Sequence, residues 1–251
     1  MSITRCKVES TNYYNQDTRQ ILLTLPEGVC VEHKAGQYLE VVSEGKRYPF
    51  SIASAPSLAD KIELHIRPTP DSTDSDTVEA LLDVATELDI DYPKGSCFLS
   101  EMPNGPLVLL AASTGITQMK SIVEHLLSDE SAQNDTQHPI YLYWGVVSAQ
   151  DLYLQTLCES WQDEWKARGR QFTFIPVVSE PEKSPDWQGR TGLVGDAALK
   201  DINDVSNATV IVSGGPGMVY ATLDMFVEQG MPEANMQSDI FSYAPRVASS
   251  S

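Results

Sequence analysis

Two kinds of short segment in this sequence carry residue types that can bind or transfer a small molecule. The first is R-Y-P-F-S at 47–51, which places a cation, two aromatic rings, a proline and a hydroxyl in a stretch that otherwise alternates like a β-strand. A strand that only covers a core needs none of these groups, so we expect something besides the core to lie against it. The alternative is an edge strand in which Pro49 prevents pairing and Ser51 is merely hydrated.

The second kind is a pair of glycine-bearing loops, S-T-G at 113–115 and S-G-G-P-G-M at 213–218. Each follows an apolar run and precedes a helical pattern. At the first loop, small residues let a ligand approach the free amides of a helix N-terminus, which attract phosphate. The alternative is that glycine only closes a tight turn. Two such loops on one sheet favour a nucleotide, although neither is the G-x-G-x-x-G fingerprint and no acidic residue follows at its ribose position.

The first hundred residues predict short antiparallel strands around one apolar core. Strand-like runs occur at 21–25, 38–42 and 61–68, separated by turns, and one helix is predicted at 78–85. Within 61–68 apolar side chains alternate with Glu63, His65 and Arg67, as in a strand with one buried face. These features predict a small six-stranded antiparallel barrel.

After residue 103 the pattern changes to strands alternating with helices. The strands are predicted at 106–113, 139–146, 171–178 and 208–215, with a last one at 238–243, and the alternation indicates a parallel α/β sheet. The predicted domains are therefore an antiparallel barrel at 1–103 and an α/β nucleotide-binding domain at 104–246, followed by a disordered tail at 247–251.

Composition excludes several classes of partner. A formal net charge of −18 repels nucleic acid and anionic lipid surfaces, so neither is expected as a partner. No apolar run can span a bilayer and the first residues lack a signal peptide, so a cytoplasmic protein is expected. The four cysteines and four histidines are scattered without metal-ligand spacing, so we expect no metal and reduced thiols.

Seven segments follow one another along the chain: A-G-Q-Y-L-E-V-V, P-F-S-I-A-S, I-E-L-H-I-R-P, L-L-A-A-S-T-G-I, Y-W-G, G-R-T-G-L-V and V-S-G-G-P-G-M. Together and in this order they resemble motifs of the ferredoxin–NADP reductase superfamily. The likeness runs from about residue 4 to residue 246 and is greatest to the free-standing NAD(P)H:flavin reductases. It implies hydride transfer from nicotinamide C4 to flavin N5, with the two rings stacked between the domains.

The resemblance also implies roles for individual residues. Phe50 would support the flavin ring, and Ser51 would be the catalytic residue, its hydroxyl hydrogen-bonding N5. The other residues implied to contact flavin are Arg47, Tyr48, Pro49, His65, Ile66 and Arg67. The residues implied to contact the nicotinamide nucleotide are Ser113, Thr114, Gly115, Gly214, Gly215 and Met218.

Three positions depart from the family pattern. Tyr48 occupies the usual arginine position, with Arg47 one residue earlier and so on the opposite face of the strand. Ser113 stands where the first loop usually has glycine. Val147 lies where arginine often follows Y-W-G, which favours NADH over NADPH unless Arg190 compensates. The eight carboxylates between 71 and 91, without any lysine or arginine, oppose a diphosphate and favour a loosely bound flavin.

The leading hypothesis is therefore an NAD(P)H:flavin oxidoreductase that reduces free FMN, FAD or riboflavin with NADH or NADPH. A second is a reductase component with bound FAD that serves an oxygenase or another acceptor protein. A third is a nucleotide-binding module that no longer transfers hydride. A monomer is expected, with a monooxygenase as a possible downstream partner.

Overall fold

The computed structural model describes residues 3–30, 32–129 and 138–246. The predicted tail at 247–251 lies outside the described residues. The chain divides into two compact units: unit one comprises Met1–Leu99 with Lys120–Ser128, and unit two comprises Ser100–Met119 with Asp129–Ser251. The domain limits 1–103 and 104–246 stay a prediction, and the second part of one helix groups with unit one.

Unit one is built on a six-stranded antiparallel sheet. Its strands are β1 (Thr4–Tyr13), β2 (Arg19–Thr24), β3 (Tyr38–Ser43), β4 (Lys46–Ser51), β5 (Lys61–Ile66) and β6 (Glu87–Lys94). They are ordered β4-β3-β6-β1-β2-β5. The Ala53 N–H, just after β4, donates to the Glu63 carbonyl of β5 at 2.8 Å, which joins the two outermost strands and closes the sheet.

Alternating apolar residues fill the inside of this sheet. Ile62, Leu64 and Ile66 of β5 belong to the core, as the sequence pattern predicted. Their polar neighbours Glu63 and His65 are also buried, with only 7% and 4% of their surface exposed. Both faces of β5 are therefore covered, although the alternation alone would suggest that the polar face meets water.

Helix α1 spans Thr73–Val84, so it begins five residues before the predicted start at 78 and ends one residue before the predicted end. The Ser72 hydroxyl accepts from the Ser75 N–H and caps the helix. Arg19 of β2 binds Glu79 and Asp83 of this helix at 2.9 and 2.8 Å. The sequence pattern predicted only the apolar second half of this helix. Its polar first turn was missed because that turn depends on the serine cap.

Unit two contains a six-stranded parallel sheet. Its strands are β7 (Leu107–Ala112), β8 (Ile140–Val146), β9 (Phe172–Val178), β10 (Arg190–Thr191), β11 (Thr209–Ser213) and β12 (Met236–Gln237). They are ordered β10-β9-β8-β7-β11-β12. The helices are α2 (Ile116–Ser128), α3 (Gln155–Ala167), α4 (Val194–Asp201), α5 (Pro216–Glu228) and α6 (Ile240–Tyr243). Helix α2 begins in unit two, and from Lys120 onward its residues belong to unit one.

The predicted fold class, a six-stranded antiparallel domain followed by a parallel α/β domain, is confirmed. The last predicted strand, 238–243, is wrong. Strand β12 precedes it, and the Phe241 N–H donates to the Ser238 carbonyl at 3.3 Å, which starts the short helix α6.

Among residues 3–30, 32–129 and 138–246, no helix is long and apolar enough to cross a bilayer. In the same ranges no group of three or more His, Cys, Asp or Glu side chains is arranged to hold a metal ion.

Candidate active site

The two glycine-bearing loops lie side by side at the carboxyl edge of the parallel sheet. Strands β7 and β11 are hydrogen-bonded neighbours, with Ala111 opposite Ser213. A Cβ atom added to Gly115 would lie 2.3 Å from the Ser213 carbonyl oxygen, closer than any side chain allows. The first loop thus packs directly on the end of the second strand, and only glycine fits at 115.

Backbone geometry fixes the first loop. Ser113 has a φ of +51°, in the left-handed region that glycine adopts with least strain. Its carbonyl accepts a 2.8 Å hydrogen bond from Trp144 Nε1, and Trp144 is fully buried in β8. Residues Ser113–Gly115 form one 3-10 turn that leads into α2. The predicted departure at Ser113 is therefore accommodated, at a cost in backbone strain.

The second loop opens toward solvent. Gly215 is the N-cap of α5 and no side chain caps that helix. Cβ atoms added to Gly215 or Gly217 would meet nothing within 4 Å, whereas at Gly214 one would meet the Met218 sulfur at 3.1 Å. Residues 215–217 are exposed, so the N-terminus of α5 is open to solvent, and this arrangement fits a phosphate.

In unit one, the residues of R-Y-P-F-S alternate between the two faces of β4. Tyr48 is 6% exposed and belongs to the core, and Phe50 is half-buried against that core. Pro49 and Arg47 are exposed on the other face. Arg47 binds Asp91 at 2.6 Å and Glu40 at 2.7 Å, so both of its partners are carboxylates of unit one.

Ser51 ends β4, opposite Tyr38, and is half-buried. In the described part of the chain its hydroxyl makes no hydrogen bond, so it can serve a ligand without giving up a partner in the protein. The next residue, Ile52, donates its N–H to the Gln37 carbonyl at 3.1 Å. Backbone hydrogen bonds therefore hold the main chain on both sides of Ser51, and its hydroxyl fits the predicted donor to flavin N5.

The residues predicted from β5 lie in different surroundings. Ile66 is buried in the core, so its side chain cannot line an open site. The His65 ring is packed edge-on to Tyr14, and its Nε2 lies 2.9 Å from Glu63 Oε1. Arg67 is half-buried and donates to Asp17 at 2.8 Å.

Sequence analysis missed the ionic partner of this strand. Lys120 of α2 is 5% exposed and its Nζ lies 2.9 Å from Glu63 Oε2 and 2.8 Å from Glu124 Oε2. A lysine beside Met119, Ile122 and Val123 in an apolar helix stripe was the available signal, because a buried lysine needs a carboxylate partner.

Comparison with known proteins identifies the family. Residues 109–224 match the model of the oxidoreductase NAD-binding domain. An NAD(P)H-flavin reductase of Vibrio harveyi is 33% identical over 246 residues, covering 95% of this chain and 98% of that protein. The chain belongs to the NAD(P)H-flavin reductase family. It is therefore an oxidoreductase, as predicted.

Two larger proteins are similar to this flavin reductase family member. A CDP-6-deoxy-L-threo-D-glycero-4-hexulose-3-dehydrase reductase of Yersinia pestis is 33% identical over 236 residues, covering 94% of this chain and 68% of that protein. The crystal structure of the cytochrome P450 reductase GcoB of Amycolatopsis matches with a TM-score of 0.80 and 27% identity, covering 94% of this chain and 68% of that one. The expected use of flavin and a nicotinamide nucleotide is confirmed by the family, while the individual site residues stay predictions.

Proposed function

We propose that this protein reduces free flavin with a nicotinamide nucleotide, and that FMN, FAD or riboflavin is an exchangeable substrate. The observation that carries the proposal is the half-buried Ser51 hydroxyl, which has no partner in the described residues and is held beside Phe50 in unit one. The pair of apposed glycine loops in unit two supports it independently.

Unit two would hold the nicotinamide nucleotide. Thr114 and Gly115 would contact the nicotinamide portion, and the open amides at Gly215 would bind phosphate. Met218 would form an apolar wall, because its sulfur packs on Gly214. These groups bind and orient, which is what hydride transfer needs from a protein.

Unit one would hold the flavin. Phe50 would support the ring, Ser51 would donate a hydrogen bond at N5, and Arg67 would border the pyrimidine side. The His65 side chain is fully buried, so His65 stays a candidate through its backbone alone. We leave the Tyr48 and Ile66 side chains out of the proposed contacts because they lie in the core, and Arg47 because Asp91 and Glu40 engage it. Pro49 stays a candidate through its backbone alone.

The acidic stretch at 71–91 predicted a loosely bound flavin. Ion pairs within unit one weaken that argument, because they neutralise part of the negative charge. Five of the eight carboxylates lie within 3.0 Å of an arginine or lysine nitrogen; they are Asp74, Glu79, Asp83, Asp89 and Asp91. The stretch therefore repels a diphosphate less than its sequence indicates. Exchangeable flavin stays a proposal that copurification can test directly.

We infer a preference for NADH over NADPH. Arg190, the cation that would compensate for the missing arginine after Y-W-G, is bound by Asp201 at 2.7 and 2.9 Å. Lys183, another cation near the carboxyl edge of the sheet, is paired with Glu180 at 2.7 Å. With both cations engaged by carboxylates, an additional phosphate on the ribose would gain little attraction.

A reductase component with bound FAD is the second candidate. Two relatives that are reductases of other enzymes, from Yersinia and Amycolatopsis, favour it, and each is longer than this chain. In that case electrons would pass from the flavin to an acceptor protein such as a monooxygenase.

Anaerobic titration with NADH, with and without added FMN, separates these candidates. A free-flavin reductase is purified without stoichiometric flavin, and it bleaches added FMN at 450 nm in proportion to NADH. A reductase component is yellow when purified, and its own flavin bleaches before any is added. If NADH is not consumed under either condition, both proposals fail.

A further inference from the structure

A cluster of polar side chains with a buried centre lies in unit one, next to the segment that carries Ser51. We call it the Glu63 cluster; its members are Tyr14, Gln20, Glu63, His65, Lys120 and Glu124. Glu63, His65 and Lys120 are 7%, 4% and 5% exposed. Burial of three ionisable side chains is costly unless each is satisfied, so the cluster requires a structural or functional reason.

The Glu63 carboxylate is saturated with donors. Its Oε1 accepts from Gln20 Nε2 at 2.7 Å and Tyr14 Oη at 3.0 Å, with His65 Nε2 at 2.9 Å. Its Oε2 accepts from Lys120 Nζ at 2.9 Å. Four donors are about what one carboxylate accommodates, and Glu63 is therefore held in a single orientation.

The backbone of the same residue holds the segment after Ser51. The Ala53 N–H donates to the Glu63 carbonyl at 2.8 Å, and the Glu63 N–H donates to the Ser54 hydroxyl at 3.1 Å. The Ser54 carbonyl accepts from the Ser121 hydroxyl at 2.8 Å. Residues two and three beyond Ser51 are therefore tied to Glu63 and to the residue next to Lys120.

The charges of the cluster support each other. Burial alone would raise the pKa of Glu63, but hydrogen bonding from His65 and the Lys120 charge hold it well below its usual value. Burial opposes the charge on Lys120, yet Glu63 and Glu124 raise its pKa. Burial lowers the pKa of His65 despite Glu63. Near neutral pH, Glu63 and Lys120 are charged while His65 is neutral and donates its Nε2 proton.

We propose that Lys120 and Glu63 are positioning residues for flavin reduction, and that they act by fixing the Ser51–Ser54 segment and with it the Ser51 hydroxyl. The inference rests on the proposed function of Ser51. Removal of the Lys120 charge leaves the buried Glu63 carboxylate without a counter-charge, and this frees Glu63 to move or take up a proton. The Ala53 N–H and the Ser54 hydroxyl then lose the fixed backbone of Glu63 as their partner. As a result, the Ser51 hydroxyl is no longer held in the position proposed for hydrogen bonding to flavin N5.

The first test uses the protein without ligand. In K120M, amide hydrogen exchange at Ala53 and at Glu63 should quicken at least about tenfold relative to wild type, while amides of β7 and β11 stay unchanged. E124Q is the matched control, because it keeps the Lys120–Glu63 bond, and its exchange should match wild type within about twofold. Wild-type exchange in K120M would overturn the proposal, whether or not flavin is a substrate.

The second test is a double-mutant cycle with Ser51. K120M should lower the rate of FMN bleaching about tenfold at saturating NADH without changing the KM for NADH, and K120R should recover part of the loss. If Lys120 acts through Ser51, then S51A/K120M should be no slower than S51A within about twofold. Multiplicative losses would show that Lys120 acts independently of Ser51, and a raised KM for NADH would show that it acts through the Ser113–Gly115 turn that precedes α2. Either result would overturn the proposal. Absence of turnover in wild type would refute the proposed function alone.

Discussion

At position 51 a hydroxyl lies half-buried at the end of β4 and makes no hydrogen bond within residues 3–30, 32–129 and 138–246. Alanine at this position should therefore leave the stability nearly unchanged, because no intramolecular bond is lost. The same group would donate to flavin N5 where negative charge develops during reduction. A substitution at Ser51 should therefore change the rate of flavin reduction without changing the stability of the protein. At most buried polar residues a substitution changes both, because an intramolecular hydrogen bond is lost.

We expect S51A to slow anaerobic FMN bleaching by about 10²-fold, the usual effect of removing one donor at a developing charge. The thermal midpoint should stay within about 2 °C of wild type. Stopped-flow absorbance at 450 nm under excess NADH measures the rate, and S51T, which keeps a hydroxyl, is the control. A rate in S51A equal to that of S51T would exclude the hydroxyl from the reaction.

Ser113 offers a second prediction for a single residue. Its φ of +51° is costly for a residue with a Cβ, while glycine adopts it freely. S113G should raise the free energy of unfolding by up to about 1 kcal/mol. S113A retains the strain and should give no such gain. Urea unfolding of the three proteins measures the difference, and a less stable S113G would show that the serine side chain stabilises the loop by more than its backbone costs.

At the scale of elements, the sequence determined most strands and helices because their apolar periodicity matches their burial. It located the start of α1 wrongly because a serine cap, not an apolar residue, begins that helix. It also missed α4, a short helix with several small residues, and the two-residue strands β10 and β12. Elements this short depend on neighbours that lie far away in sequence.

The same limit applies to the candidate site. Motif residues such as Ser51 and Gly115 could be selected from the sequence because their types are unusual for their positions. Glu63 and Lys120, 57 residues apart in sequence, could not be paired, since nothing local indicates that the polar face of β5 is covered. The pairing of Arg190 with Asp201 was likewise hidden, so the sequence alone left open whether Arg190 compensates for the missing arginine after Y-W-G.

The junction of the two glycine loops can be tested with a matched pair of substitutions. In G115A the new methyl group would meet the Ser213 carbonyl oxygen at 2.3 Å, so the loops must separate. We expect a loss of about 1–3 kcal/mol in stability and a strongly raised KM for NADH. G215A places its methyl group in open space and should unfold like wild type. Equal thermal midpoints for the two variants would contradict the packing of these loops.

The turn after β8 provides a test of nucleotide choice. Val147 is 43% exposed and follows the strand that carries Y-W-G. V147R introduces a cation there, and we expect it to raise kcat/KM for NADPH about tenfold while that for NADH changes less than about twofold. V147Q matches much of the length without the charge and should leave both values near wild type. An equal gain in V147Q would mean that shape, not charge, selects the nucleotide.

At the scale of the whole molecule, the net charge of −18 acts on both proposed substrates, because NADH and FMN are anions. Long-range repulsion slows their approach, and salt screens it: the Debye length falls from about 30 Å at 0.01 M to about 8 Å at 0.15 M ionic strength. Riboflavin carries the same ring without the phosphate, so it should be insensitive to this field.

We therefore expect kcat/KM for FMN to rise about two- to fivefold between 0.01 and 0.15 M NaCl, measured at saturating NADH, while kcat/KM for riboflavin stays constant. The difference between the two flavins isolates the charge of the phosphate from any effect of salt on the protein. A fall in kcat/KM for FMN with added salt would mean that local cations attract the phosphate more strongly than the molecule as a whole repels it. In that case Arg67, half-buried beside Asp17 on the strand proposed to border flavin, would be the first cation to replace.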